Sequence, residues 1–166
     1  MSMNNEWSDI DRARLAAYFD ATGYISIAKS SRDASRSHRN PSYSLKIAFT
    51  FSGKRRSSIM TWLSNLLGID RTIRRSSRVC ILDLKTKKKR KCESFQTNIG
   101  VYGERAYDFL HAIYPYTLVH REEADIAFVF YNNYVLRNSR IATQAERDIA
   151  EECFQKLQAL HKSRLF

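Results

Sequence analysis

The run Leu15-Ala16-Ala17-Tyr18-Phe19-Asp20-Ala21-Thr22-Gly23-Tyr24-Ile25 constrains this chain more than any other stretch. Upstream of Gly23 the spacing is helical: Ile10, Leu15, Tyr18 and Phe19 fall broadly on one side, and Ser8 or Asp9 can cap the start. From Tyr24 the period drops to two, with Ile25 and Ile27 alternating with Ser26, Ala28 and Ser30. Gly23 therefore marks a corner where a helix runs straight into a strand, and it is expected to end the helix by permitting positive φ. Ala13, Ala16, Ala17 and Ala21 are small and three or four residues apart, a spacing that lets another helix backbone come close.

The rest of the chain repeats this alternation of periods. Leu45, Ile47, Phe49 and Phe51 alternate with Ser44, Lys46, Ala48 and Thr50, which is the clearest strand. A helix over about 54–67 carries Ile59, Trp62, Leu63, Leu66 and Leu67 and ends at Gly68. Two strands are expected near 71–84 and 92–101, joined by the link 85–91, which has six basic residues in seven. Gly103 precedes a helix over about 104–113 that Pro115 breaks. Helices over about 121–136 and 143–161 follow, the last with Thr143 and Glu146 spaced as a capping box. The order predicts an α+β fold: an antiparallel sheet with helices on one side and a polar, basic face on the other.

A length of 166 residues, 43% of them hydrophobic, predicts one domain over 1–166 with a core of about 8–136. Three cysteines without a disulfide or zinc spacing fit a reducing, intracellular setting. Neither a secretory signal nor a membrane span is visible, so no membrane partner is expected. The formal charge of +11 is not evenly spread. Residues 29–91 hold 18 Lys and Arg against 3 acids, while the remainder is mildly acidic. A solubilising surface has no reason to segregate its signs, so this pattern points to a polyanion-binding face on a neutral scaffold.

The corner closely resembles the signature of the LAGLIDADG homing endonucleases, whose motif ends in Asp-Ala-Asp-Gly or Asp-Gly-Glu-Gly. Two further stretches share the resemblance. Leu110-His111-Ala112-Ile113-Tyr114-Pro115-Tyr116 followed by Arg121-Glu122-Glu123-Ala124 is similar to the family's helix, Pro-Tyr turn and next helix. Asn40-Pro41-Ser42-Tyr43 before the second strand is also family-like. The resemblance covers about 8–136 and implies an α-β-β-α-β-β-α domain whose sheet saddle lies in the major groove of DNA. With one motif per chain it implies a homodimer, or docking on another protein, through the motif helix at Ala13, Ala17 and Ala21. Alternation then selects ligand-facing positions: Tyr24 or Ser26, Ala28, Ser30, Arg32, Ser44, Lys46, Ala48, Thr50, Arg74, Ser94 and Gln96; Arg71 and Arg75 are expected to bind nucleic acid as well. Lys85, Lys87, Lys88, Lys89, Arg90 and Lys91 are expected to meet phosphates rather than bases.

The resemblance also exposes a departure. Family cleavage uses one carboxylate at the end of each motif helix to hold Mg²⁺. Gly23 and Ile25 fix the alignment, and the acid's position falls on Thr22. Asp20 aligns with the motif's earlier acid and, two residues back on a helix, points about 200° away. His120 falls near the family's basic residue after the Pro-Tyr turn and is expected to be solvent-exposed at a helix start. These features imply a nucleic-acid-binding protein with impaired cleavage and no cofactor. The alternative is an active Mg²⁺-dependent endonuclease cutting DNA as a homodimer. DNA is the family default, and RNA bound as a maturase or ribonucleoprotein component is the competing ligand.

Overall fold

The computed structural model describes residues 7–30, 42–52, 58–68, 73–82, 89–135 and 142–163. Helix α1 (Asp9–Thr22) passes into β1 (Gly23–Ser30), which is followed by β2 (Ser42–Ser52), α2 (Ser58–Leu66), β3 (Ile73–Leu82) and β4 (Lys89–Tyr102). Helices α3 (Glu104–Ile113), α4 (Arg121–Phe130) and α5 (Gln144–Ser163) complete the chain, with a π-helical turn, Tyr131–Val135, extending α4. The strands form one four-stranded sheet in the order β1-β2-β4-β3. β3 and β4 pair antiparallel, with Arg75 opposite Gln96 and Arg74 opposite Thr97. This is the expected α+β element order. No helix among the described residues is long and apolar enough to cross a membrane.

The chain divides into two compact units, Met1–Ile47 with Val101–Phe166, and Ala48–Gly100. In the larger, Leu15, Phe19, Ile25, Leu45, Ile47, Phe109 and Phe130 are fully buried. Each contributes about 1.5–3 kcal/mol by leaving water. Phe19 meets Phe109 edge-on at 5.4 Å between centroids, which locks the end of α1 to α3. α5 presents Ala150, Cys153 and Leu157 on one buried face. It begins with the expected capping box: the Thr143 N–H donates to Glu146 Oε2 at 2.7 Å and the Glu146 N–H to Thr143 Oγ1 at 3.3 Å. Lys29 of β1 ties to α5 through a 2.7 Å ion pair with Glu151, and the Tyr43 hydroxyl donates to the same carboxylate. These donors hold the Glu151 carboxyl down at about 2. The smaller unit buries Phe49, Met60, Leu63, Leu67 and Ile99.

One boundary differs from the sequence reading. β4 starts at Lys89, so Lys89, Arg90 and Lys91 pair with Leu82, Ile81 and Cys80 instead of belonging to the link. Ladder hydrogen bonds come from the backbone, which lysine supplies as well as any residue, and hydrophobic periodicity cannot register such a strand.

Candidate nucleic-acid interface and the helix-strand corner

Ser8 caps α1 by accepting the Asp11 N–H at 3.2 Å. At the other end, the Gly23 N–H donates back to the Phe19 carbonyl. Gly23 has φ −79° and ψ 163°, an extended conformation open to any residue. The expectation of positive φ is therefore corrected. Glycine is needed for space: a Cβ here would stand 2.3 Å from both the Phe19 carbonyl oxygen and Phe19 Cδ2. The corner is tight because the strand departs directly over the last turn of the helix. Thr22 is half-buried, and its hydroxyl donates to the Tyr18 carbonyl at 2.8 Å. This back-bond consumes its proton within the helix.

Asp20 points to the turn before α4. Its carboxylate accepts the backbone N–H groups of Leu118 (2.8 Å), Val119 (3.2 Å) and His120 (3.4 Å), and the Thr117 hydroxyl at 3.4 Å. An anion among the free N–H groups at a helix start is a stabilising arrangement. Asp20 thus fastens α4 to α1 across about a hundred residues of sequence. His120 begins α4, but it is not the solvent-exposed residue the sequence suggests. Its side chain is 13% exposed, its ring lies 5.1 Å from that of Phe19, and Nδ1 is 3.3 Å from the buried carboxylate of Glu123.

The strand faces sort the remaining candidates. On β1, Ile25 and Ile27 are buried, Ser26 is half-buried, and Tyr24, Ala28 and Ser30 are exposed. The Ser30 and Ser42 hydroxyls share a 2.5 Å hydrogen bond. On β2, Ser44 and Thr50 are exposed and Lys46 is half-buried, whereas Ala48, expected on the same face, is buried. Lys46 Nζ lies 5.5 Å from the centroid of Tyr102, a half-exposed aromatic that the sequence reading passes over. The signal for Tyr102 is parity: Ile99 and Val101 are buried, so position 102 takes the opposite side of the pleat. Arg74, Arg75 and Gln96 are located by register alone. Arg32, Arg71, Lys85, Lys87 and Lys88 lie outside the described residues.

Solved structures carry the same architecture. The homing endonuclease I-CvuI in complex with its target, with calcium present, superposes with a TM-score of 0.57 at 16% identity, over 91% of this chain and 82% of that one. The archaeal intron-encoded homing endonuclease I-Vdi141I, complexed with DNA, gives 0.61 at 12% identity over 91% and 84%. I-CvuI with the I-CreI target in magnesium, its DNA not cleaved, gives 0.52 at 16% identity over 90% and 95%. The fold is that of the LAGLIDADG homing endonucleases. No protein-family model and no curated protein matches the sequence.

Within the LAGLIDADG fold, α1 presents Ala13, Ala17 and Ala21 at the surface, with Ile10 64% exposed on the same side. Leu118 and Val119, held beside α1 by Asp20, are also exposed. At the corner Thr22 presents a neutral oxygen whose proton goes to the Tyr18 carbonyl, and both Asp20 oxygens accept from the 117–120 turn. Among the described residues no group of three His, Cys, Asp or Glu side chains could hold a metal ion. A hard cation favours anionic oxygen, and at the corner the anionic oxygens are those of Asp20, which accept from the 117–120 turn.

Proposed function

We propose that this protein is a nucleic-acid-binding member of the LAGLIDADG homing-endonuclease family whose cleavage activity is impaired, with duplex DNA as its first ligand. The observation that carries the reading is the corner: α1 ends on Thr22, a neutral side chain donating to the Tyr18 carbonyl, where the motif calls for an acid. Thr22 leaves out the carboxylate that would hold Mg²⁺ there, and Mg²⁺ so held would supply activation of the attacking water. Loss of the acid does not touch the strand faces.

Binding draws on two kinds of contact. Ser26, Ala28, Ser30, Ser44 and Lys46 in one unit, and Thr50 with the register partners Arg75 and Gln96 in the other, supply groups that meet base edges in the major groove; Arg74, opposite Thr97, takes the other face of the ladder. The basic run from Lys85 to Lys91 meets phosphates and adds affinity without sequence information. If about six such contacts form, affinity falls roughly a thousandfold between 50 and 200 mM salt. Two copies associate through the exposed Ala13, Ala17 and Ala21 face of α1 and cover a roughly palindromic site. Fold neighbours solved on their DNA targets support this choice of ligand.

The test is Thr22→Asp. With Mg²⁺ present, the variant is expected to gain cleavage of a duplex that the unmodified chain binds without cutting. Cleavage by the unmodified chain identifies an active endonuclease instead. Preference for a folded intron RNA over duplex DNA identifies a maturase.

A further inference from the structure

Lys46 and Tyr102 belong to the same compact unit and face each other across adjacent strands. Buried Leu45 and Ile47 on either side of Lys46 fix the pleat, so Lys46 projects away from the core. The Leu45 carbonyl accepts the Gly103 N–H at 2.9 Å, which pins the backbone of β2 beside the end of β4. The Tyr102 ring is 50% exposed although Val101 next to it is buried. Lys29 is neutralised by Glu151, but among the described residues no carboxylate pairs with Lys46. An ammonium steadied by an exposed ring remains available to a ligand, and the ring restricts the rotamers of a side chain that is otherwise flexible.

We infer that Lys46 reads a guanine edge in the major groove and that Tyr102 is the positioning residue that aims it; the inference rests on the duplex-binding reading above. The ammonium has donors and no acceptor. Guanine presents two acceptors, O6 and N7, on its major-groove edge. Cytosine offers a donor there, adenine pairs its acceptor with a donor, and thymine has one acceptor beside a methyl group. Guanine alone matches a lysine without opposing a donor or a methyl group. A phosphate contact by the same ammonium would be indifferent to base.

The experiment is selection from a randomised duplex library by the full chain and by Lys46→Met, Tyr102→Leu and Tyr102→Phe, with the selected sequences read out and melting temperatures measured in parallel. The unmodified chain is expected to enrich guanine at one position of its site, or at that position and its symmetry mate. Lys46→Met erases that preference by about tenfold and leaves the other positions as they were. Tyr102→Leu weakens the same preference a few-fold at unchanged melting temperature, and Tyr102→Phe, which keeps the ring, restores it. If Lys46→Met and Tyr102→Leu bind every sequence more weakly with base preferences unchanged, the inference is overturned while duplex binding stands. If the unmodified chain shows no salt-sensitive retention of duplex, the duplex-binding reading fails and takes the inference with it.

Discussion

Gly23→Ala sets two opposed effects against each other. The corner has φ −79° and ψ 163°, which alanine adopts freely. On that count the substitution should stabilise by about 0.4–1 kcal/mol, since alanine loses less freedom on folding. The added Cβ would stand 2.3 Å from the Phe19 carbonyl oxygen, where 3.0 Å is the practical limit, so one of them must retreat by at least about 0.7 Å. The oxygen is backbone of the last turn of α1. The Phe19 ring, equally close, is held between Phe109 at 5.4 Å and His120 at 5.1 Å. Overpacking of this kind costs about 1–3 kcal/mol. Weakening the Gly23 N–H bond to Phe19 adds about 1 kcal/mol. The clash therefore wins, with a net loss of about 1–3 kcal/mol and a melting temperature lower by about 3–10 °C. Circular dichroism melts of the two proteins at equal concentration measure it. Gly103→Ala is a useful contrast, because space is open there but φ is +60°, so its cost of about 1–3 kcal/mol comes from backbone strain. A Gly23→Ala protein that melts at or above the parent temperature would refute the steric account of the corner.

Two other perturbations follow from the same geometry. Asp20→Ala leaves three backbone N–H groups without their shared acceptor and should cost about 2–3 kcal/mol, with faster amide hydrogen exchange at 118–120; unchanged exchange there would show the carboxylate is dispensable. Glu151 is held at about 2 by donation from Lys29 and then from Tyr43, well below the ordinary 4.5. A depressed folded pKa stabilises above 4.5 and the gain is lost as pH falls from about 4.5 towards 2. Solvent screening limits this to about 1 kcal/mol for so exposed a pair. Glu151→Gln should flatten the acid limb of a stability-versus-pH curve, and an unaltered limb would show the pair contributes nothing.

Much of the fold is legible in the sequence because its signals are local. The period change at Gly23, the alternation of Leu45 to Phe49 and the Thr143–Glu146 box each specify an element from a few adjacent residues. What is not legible depends on distant partners. Gly23 is recognisable as a corner, yet its cause is the crowding by Phe19 and not its own φ. Asp20 and His120 are visible as polar residues near helix ends, but only tertiary contact shows that one fastens the start of α4 and the other packs between Phe19 and Glu123. Lys89 to Lys91 read as a solvated link because their strand is made by backbone pairing with β3. Tyr102 escapes notice because an aromatic next to Val101 looks like core, and only the parity of β4 turns it outward.

Cleavage itself provides the most direct test of the central claim. The unmodified chain is incubated with Mg²⁺ and a randomised duplex library, and retained and cut molecules are sequenced together. The account predicts retention that collapses as salt is raised, with every recovered duplex intact. Double-strand breaks leaving short 3′ overhangs would contradict it, since they would require an acid that the corner at Thr22 does not supply.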